Sequence, residues 1–396
     1  MSTWTTYLAI GIGIAINLIS LLAGLRHLLR LKRPANQTSG TVSVILPLTG
    51  KSEDLEALVA RLNAQTHKPR RLIITVESEA DPAYSRAADA ARIAAFPVER
   101  VVAGLAQHQA QKCTNLSAAA ALIDAADAAV VLMDGDILPA PWWLSALASP
   151  VLDRHSDVVT GYRWQMAEQG RLGAHLVSLI DRSLTMIPRA DLRFARVVWG
   201  GSLAMSREAF EKMDLPKTLS RSLSDDLSLA DRAAELDLRV LTRGALLVPS
   251  PNDQTLAQAW RFGRRQYFIG RVYRPALWWL ALVIIAARLL AWVVALWNLP
   301  ALFGQIALVA LLGLAAAKLL VVDRIAARLD LGEPLSARVR QFLIGLAQPA
   351  VDVFHLSMIF GAALTRRVRW GHVDYDVDGP DEVRVAERRH WPAAKS

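Results

Sequence analysis

The chain has 396 residues, of which 53% are hydrophobic and only 20% are charged, and its formal net charge at pH 7 is +9. Soluble domains carry about 25% charged residues, so this balance argues against a wholly soluble or disordered chain. The single cysteine, Cys113, excludes a disulfide scaffold and a cysteine-based zinc site, and the basic excess suggests attraction to anionic lipid or phosphate groups.

The N-terminal segment has the pattern of a membrane anchor. Residues 7–25, YLAIGIGIAINLISLLAGL, carry no charge, and about 20 such residues cross a bilayer. The basic residues follow this run instead of preceding it, which is the reverse of a cleaved signal peptide. We therefore predict a transmembrane anchor over residues 1–28 and a linker over residues 29–40, with the chain beyond the anchor in the cytosol.

Strand and helix signals alternate over residues 41–255. TVSVILPL at 41–48, RLIITVES at 71–78 and AVVLMDGD at 129–136 read as buried strands, and segments with helical spacing lie between them. This alternation predicts an α/β domain with a mostly parallel, Rossmann-like sheet. In such sheets ligands bind at the carboxyl ends of the strands.

The predicted strand ends are acidic. Asp134 and Asp136 flank Gly135, so both carboxylates point to the same side and the backbone can approach a ligand. This arrangement suits a hard divalent cation that also binds substrate phosphates, and the alternative is a solvated Asp-Gly turn. The strand at 71–78 also has acids at its end, with Glu77 inside it and Glu79 and Asp81 just after it. Asp81 also fits as the N-cap of the next helix.

A third acidic pair lies in LSDDLSLADR at 223–232. Asp225 and Asp226 follow Ser224 at a predicted helix start. A carboxylate held near a hydroxyl can act as a general base, and the alternative is that one of the two acids only caps the helix.

A basic and aromatic stretch, AQAWRFGRRQYFIGRVYRP at 257–275, precedes the next apolar block. Its arginines and aromatics recur at helical intervals, which predicts an interfacial amphipathic helix over residues 256–275. The arginines also suit the binding of a diphosphate.

Two apolar segments, 276–297 and 299–322, predict a transmembrane helical hairpin over residues 276–322. Arg288 lies in mid-span and requires a polar partner, whereas Lys318 lies near an end and can reach the surface. Residues 323–370 are predicted as a basic loop followed by an interfacial or re-entrant segment, with a further transmembrane span as the alternative. Residues 371–396 are predicted as a solvated C-terminal tail.

In this order the fragments resemble an inverting glycosyltransferase of family 2 with the GT-A fold, of the ceramide glucosyltransferase and hopanoid glycosyltransferase type. The likeness covers most of the chain and is carried by SVILPLTG, ESEADPA, QKCTNLSAAAALIDAADAAVVLMDGDILP, VVWGGSLAMSREAF, LSDDLSLADR, WRFGRRQY and the C-terminal hydrophobic block. It implies transfer of one sugar from a nucleotide-sugar donor, a UDP-sugar, to a hydroxyl of a ceramide-, hopanoid- or glycerolipid-like acceptor. The cofactor would be Mg²⁺ or Mn²⁺, and nucleic acid would not be a partner.

The resemblance also implies roles for individual residues. Asp226 would be the catalytic base with Asp225 beside it, and Asp136 and Asp134 would hold the metal. The donor side would comprise Glu77, Glu79, Asp81, Lys112, Asn115, Asp134, Arg261, Arg264 and Arg265. The acceptor side would comprise Trp199, Gly200, Gly201, Gln266 and Tyr267. Asp191, Arg193 and the helical segment 172–186 are candidates for an acceptor-side flap.

Two positions differ from the family pattern. Glu77 stands where the family has aspartate, and Arg265 stands where the (Q/R)xxRW signature has tryptophan, with Tyr267 as a substitute aromatic contact. The alternatives are a polysaccharide or polyprenyl-phosphate sugar transferase and a catalytically inactive GT-A-like membrane scaffold. Because only two or three hydrophobic blocks follow the α/β domain, transfer of a single sugar is favoured over polymer export. The predicted location is a bacterial-type inner (plasma) membrane, with the protein multi-pass and its catalytic domain cytosolic.

Overall fold

The computed structural model describes residues 3–32, 38–167, 170–186 and 197–391. The candidate flap residues Asp191 and Arg193, positions 33–37 of the predicted linker and residues 392–396 lie outside these ranges. The chain divides into two compact units. One contains most of a large sheet with its flanking helices and a small C-terminal sheet, and the other contains the long apolar helices.

In chain order the described elements are α1 (Thr3–Arg30), β1 (Val42–Pro47), α2 (Leu55–Asn63), β2 (Arg71–Val76), α3 (Pro82–Ile93), β3 (Val98–Val102), α4 (Gln111–Ala120), β4 (Ala129–Met133), α5 (Trp143–Leu152), β5 (Val158–Ala167), α6 (Leu172–Thr185), β6 (Ser202–Ser206), α7 (Arg207–Met213), α8 (Leu215–Leu219), α9 (Asp225–Glu235), β7 (Val240–Asn252), α10 (Leu256–Tyr273), α11 (Pro275–Trp297), α12 (Leu302–Leu329), α13 (Leu335–Leu346), α14 (Gln348–Ala363), β8 (Arg367–Trp370), β9 (Val373–Gly379) and β10 (Glu382–Arg388).

The large sheet has the strand order β3-β2-β1-β4-β6-β5-β7. Strands β3, β2, β1 and β4 run parallel to one another, whereas β6 is antiparallel to both β4 and β5. The predicted α/β fold with a mostly parallel sheet is therefore confirmed. Strands β2 and β4 are buried along their whole length, because helices cover both faces of the sheet and the apolar runs supply side chains to each face.

A second sheet lies at the C-terminus, with the antiparallel order β10-β9-β8. This differs from the predicted solvated tail over residues 371–396. Val373, Tyr375 and Val377 alternate along β9 and are all buried. The charged residues between them pair across the strands, as Arg367 does with Asp376 at 2.8 Å, so that a segment with few apolar residues still forms a sheet.

Three helices of the second unit, α1, α11 and α12, are long and apolar enough to cross a membrane. They pack together through small clusters that include Ile10, Trp292 and Leu311. The second helix of the predicted hairpin continues to Leu329, beyond the expected end at residue 322. The basic loop predicted at the start of residues 323–370 is largely helical, since α12 extends to Leu329 and α13 begins at Leu335. Its Ala-, Arg- and Leu-rich sequence favours helix.

Helices α13 and α14 form a pair bent by 82°. The polar residues of α14 point to partners within the helical unit. Asp352 Oδ2 accepts a hydrogen bond from Arg288 Nε at 2.9 Å, which gives Arg288 the partner that its mid-span position requires. Gln348 Oε1 accepts one from Trp292 Nε1 at 3.1 Å. The sequence predicts that the Lys318 side chain reaches the surface. In the structure its Nζ instead donates a hydrogen bond to Ser183 Oγ at 3.2 Å.

Candidate active site

Three segments that are far apart in sequence bring charged side chains together at the carboxyl end of β4. Asp134 follows β4 directly, Lys112 is the second residue of α4, and Asp225 is the first residue of α9. Lys112 Nζ lies 2.8 Å from Asp134 Oδ1 and 2.8 Å from Asp225 Oδ2. One ammonium group therefore bridges two acids that the sequence assigned to different roles.

The acids fix the charge of Lys112. Burial alone would lower the pKa of Lys112, but Asp134, Asp225 and Asp226 together raise it well above its ordinary value. The side chain is therefore a permanent cation at neutral pH. It offsets part of the negative charge that would otherwise keep these carboxylates apart.

The start of α9 leaves both of its acids available for the site. Ser224 caps the helix, since its hydroxyl accepts from the Leu227 N–H at 3.4 Å, so that neither Asp225 nor Asp226 is needed as the cap. Asp226 Oδ1 accepts a hydrogen bond from the Gly200 N–H at 2.6 Å. Burial and the neighbouring Asp225 raise the pKa of Asp226 to about 7, in the range that suits a general base.

Gly200 and Gly201 let the backbone before β6 approach these acids. A Cβ atom at Gly201 would lie 2.5 Å from Asp134 Oδ2 and would overlap the ring of Trp199. A Cβ atom at Gly200 would lie 3.0 Å from Asp226 Oδ1 and would overlap Asp225. Trp199 is buried, and its backbone N–H donates to Thr160 Oγ1 at 3.0 Å. The predicted wall of Trp199, Gly200 and Gly201 therefore lies against the acids.

The donor set fits a hard divalent cation such as Mg²⁺ or Mn²⁺. Asp136 is exposed, and Asp134 keeps its second carboxylate oxygen beside Gly201 while the first contacts Lys112. Among the described residues there is no group of three or more His, Cys, Asp or Glu side chains placed to hold a metal. One or two carboxylates are enough to bind such an ion where substrate phosphates complete its coordination.

The acids after β2 have different surroundings. Glu77 is buried and paired, with His372 Nε2 at 3.0 Å from Oε1 and Arg388 Nη1 at 2.6 Å from Oε2. Asp81 accepts from the N–H groups of Ala83 at 2.9 Å and Gly50 at 2.8 Å, so it caps α3 as one reading of the sequence proposed. Burial raises the pKa of Asp81. Glu79 is exposed in the turn.

Asn115 joins α4 to the central strands. Its Nδ2 donates to the carbonyl oxygens of Leu48 at 3.1 Å and Thr75 at 3.3 Å, and its Oδ1 accepts from Gln111 Nε2 at 2.9 Å. These bonds occupy the amide group within the fold. Its predicted contact with a donor remains a prediction.

The sequence reasoning missed His372, Tyr375 and Arg388, which lie on or beside the C-terminal sheet and contact the segments at the site. A signal for these strands was present in residues 373–379, VDYDVDG, where apolar and acidic residues alternate strictly before a Gly-Pro turn.

The predicted residues of the basic stretch all lie on α10, in the helical unit. Arg264 lies over the ring of Trp260, 5.4 Å from its centre, and Tyr267 forms a hydrogen bond with His355. The other members on this helix are Arg261, Arg265 and Gln266. Roles for these residues at a donor or acceptor site remain predictions.

Residues 5–381 match the family described as glycosyl transferase family 21. The match covers most of the chain, which therefore belongs to this family and is a glycosyltransferase. The family number differs from the family 2 suggested by the sequence motifs. Comparison with curated protein sequences finds no match.

Two of the solved structures to which this chain is similar are glycosyltransferases. One is glucosyl-3-phosphoglycerate synthase from Mycobacterium tuberculosis in complex with Mn²⁺, UDP and glucosyl-3-phosphoglycerate, which is 18% identical over 60% of this chain and 83% of that chain, with a TM-score of 0.40. The other is a mannosyltransferase from Pyrobaculum calidifontis in complex with GDP-Man and Mn²⁺, which is 15% identical over 90% of this chain and 98% of that chain, with a TM-score of 0.44. Neither similarity assigns a ligand to this chain.

Proposed function

We propose that this protein is a membrane-bound inverting glycosyltransferase that moves one sugar from a nucleotide-sugar, in particular a UDP-sugar, to a lipid hydroxyl on the cytosolic leaflet. The observation that carries the proposal is the convergence of Asp134, Lys112 and the Asp225–Asp226 pair at the carboxyl end of β4. This is the edge of a mostly parallel sheet where ligands bind.

Asp226 is the proposed general base. As the acceptor oxygen attacks the anomeric carbon, the bond from that carbon to the diphosphate oxygen breaks, and Asp226 takes the hydroxyl proton. A single displacement of this kind inverts the anomeric configuration. The Gly200 N–H holds one oxygen of the Asp226 carboxylate at 2.6 Å, which orients the group, and Lys112 holds the adjacent Asp225.

The leaving nucleoside diphosphate requires positive charge nearby. Asp136 and Asp134 are the residues that would hold Mg²⁺ or Mn²⁺, and the bound ion would stabilise the negative charge on the diphosphate. Lys112 adds a fixed cation beside Asp134. We also propose Arg261, Arg264 and Arg265 of α10 as diphosphate-binding residues, because guanidinium groups bind phosphate oxygens through paired hydrogen bonds.

A lipid acceptor is supported by the helical unit. Helices α1, α11 and α12 have the length and composition of membrane spans, and α10 carries arginines and aromatics immediately before α11. Such a helix is typical of the bilayer interface. The acceptor is therefore proposed to be a membrane lipid with a free hydroxyl, of the ceramide, hopanoid or glycerolipid class.

The proposal is tested with protein purified into lipid nanodiscs, a panel of UDP- and GDP-sugars, Mn²⁺ and candidate lipid acceptors. We expect a singly glycosylated lipid by mass spectrometry, and a loss of at least about 100-fold in rate for Asp226→Asn. Asp89→Asn is the matched control, since Asp89 lies on the surface of α3 and pairs with Arg92.

Other outcomes identify the alternatives. Multiply glycosylated products or transfer to polyprenyl phosphate would favour the polymerising or polyprenyl-phosphate reading. Binding of UDP with Mn²⁺ but no transfer or hydrolysis with any donor and acceptor would favour the inactive scaffold.

A further inference from the structure

The C-terminal sheet holds the loop that leads into α4. Residues 103–110 connect β3 to α4. The Val385 N–H of β10 donates to the Gln107 carbonyl oxygen at 2.9 Å, and Arg388 Nη2 donates to the Ala106 carbonyl oxygen at 3.3 Å. A strand about 280 residues later in sequence therefore fixes the backbone that precedes Lys112.

The same sheet caps α4. The N-cap residue, Ala110, has no side-chain acceptor, so the first N–H groups of the helix need partners from elsewhere. The Gln111 N–H donates to Tyr375 Oη at 2.9 Å, and Tyr375 is buried. A tyrosine hydroxyl from β9 thus replaces the usual local cap at the residue that precedes Lys112.

Arg388 links the end of β2 to the start of α4. It bonds Glu77 Oε2 through Nη1 at 2.6 Å and Gln111 Oε1 through Nη2 at 3.0 Å. His372 holds the other oxygen of Glu77. Because Glu77 is buried, its charge requires these partners, and the guanidinium fork ties them to α4 in a fixed geometry.

The segment that leads into α9 contacts both the start of α4 and the C-terminal sheet. The carbonyl oxygen of Ser222 accepts from the Ala110 N–H at 2.8 Å. Arg221 Nε donates to the Asp381 carbonyl oxygen, in the turn between β9 and β10, at 2.8 Å. The two segments that deliver Lys112 and Asp225 are therefore joined to each other and to the C-terminal sheet.

We propose that the C-terminal sheet, residues 367–388, is a positioning element of the active site, in which Tyr375 and Arg388 fix the start of α4 and thereby hold Lys112 between Asp134 and Asp225. Neither residue needs to touch the substrate. Loss of either side chain would loosen the first turn of α4 and displace Lys112. The expected change in donor binding rests on the proposed glycosyltransferase function.

The test compares Tyr375→Phe, Arg388→Ala and Arg388→Lys with the control Arg384→Ala. Arg384 lies on the same strand as Arg388 and pairs with the exposed Asp378. In Tyr375→Phe and Arg388→Ala we expect hydrogen exchange of the amides at 111–114 to accelerate about tenfold, as for one lost hydrogen bond, with exchange in β9 unchanged. The KM for the nucleotide-sugar should rise about tenfold while kcat changes less than about threefold. Arg388→Lys should be intermediate, because an ammonium group cannot reproduce the fork.

Equal acceleration in α4 and β9 would mean general loosening of the sheet and would overturn the proposal, as would unchanged exchange at 111–114. If the wild-type protein transfers no sugar, the proposed function fails, but the exchange measurement and binding of UDP with Mn²⁺ still decide the positioning role. If Tyr375→Phe does not fold, Arg388→Lys decides in its place. Arg384→Ala should match the wild type in both exchange and donor KM.

Discussion

At the scale of single residues, Lys112 explains how several acids share one site. The sequence places Asp134 and Asp226 at a predicted strand end and a predicted helix start, which is enough to expect them near the same sheet edge. It does not show that one lysine bridges Asp134 and Asp225, because three segments must first fold together. The same limit applies to Glu77, whose partners His372 and Arg388 lie about 300 residues away in sequence.

The pKa of Asp226 predicts the pH dependence of activity. Only the ionised carboxylate can accept the hydroxyl proton, and burial and Asp225 raise its pKa to about 7. We expect kcat/KM to fall about tenfold per pH unit below about pH 7 and to level off above it. In Asp225→Asn this limb should move to lower pH, because a neighbouring negative charge is removed. A pH–rate profile that is flat between about pH 5 and 8 would contradict the assignment of Asp226 as the base.

The same raised pKa predicts the pH dependence of stability. The folded protein keeps the Asp226 proton up to about pH 7, whereas the unfolded chain loses it near the ordinary value of about 3.9. The contribution of this group to stability is therefore complete below about 3.9 and is lost as the pH rises towards 7. Asp226→Asn should raise Tm relative to the wild type by an amount that grows from about pH 4 to 7 and is constant above. Thermal unfolding at several pH values measures this difference.

Gly200 tests how closely the backbone must approach the acids. In Gly200→Ala the new Cβ would overlap Asp225 and lie 3.0 Å from Asp226 Oδ1, so one or both carboxylates must move. A displacement of this size costs about 100-fold in rate when the moved group is the base. Gly379→Ala is the control, since a Cβ there meets Glu382 at 3.8 Å, an ordinary contact. Steady-state kinetics of both variants measures the effect. Equal activities of Gly200→Ala and Gly379→Ala would contradict a role for Gly200 in the active site.

At the scale of elements, the sequence predicts the parallel strands well and the C-terminal sheet poorly. Buried parallel strands such as β2 and β4 are continuous apolar runs bounded by polar residues, which makes them easy to find. Strands β8 to β10 bury few side chains and carry many charges, a composition typical of an exposed tail. Their stability depends on cross-strand pairs such as Arg369 with Asp374, and these pairs exist only in the correct register.

The Arg288–Asp352 pair joins α11 to α14. Asp352→Ala would leave the Arg288 guanidinium unpaired among apolar helices and should lower the free energy of unfolding by about 3–5 kcal/mol. The apolar double variant Arg288→Met with Asp352→Leu should regain most of that stability. Asp323→Ala is the control, because its partner Arg338 is partly exposed and such pairs contribute about 1 kcal/mol or less. Thermal unfolding in detergent compares the variants. A double variant as unstable as Asp352→Ala would show that the pair is not the source of the effect.

At the scale of the whole molecule, the C-terminal sheet constrains the membrane topology. Arg388 bonds Glu77, so β10 must lie on the same side of the membrane as the large sheet. If α11 and α12 each cross the bilayer, the chain has already returned to that side at Leu329. We therefore propose that the bent pair α13 and α14 enters and leaves the membrane on the same face, as a re-entrant or interfacial element. With the large sheet in the cytosol, as proposed, Arg366 and Arg367 would also lie on that side, in agreement with the positive-inside rule.

Single introduced cysteines can map this topology, because the native Cys113 is buried and its burial raises the thiol pKa, which makes it unreactive. Asn298→Cys, in the turn between α11 and α12, should react with a membrane-impermeant maleimide in intact cells. Asp89→Cys and Arg384→Cys should react only after the membrane is opened, because both are proposed to face the cytosol. Labelling of Arg384→Cys but not Asp89→Cys from outside would mean that α13 and α14 cross the bilayer, which is incompatible with the bond between Arg388 and Glu77. Labelling of both cysteines from outside would instead show that the orientation is the reverse of the proposed one. The active site would then lie on the opposite side of the membrane from the proposed cytosolic donor.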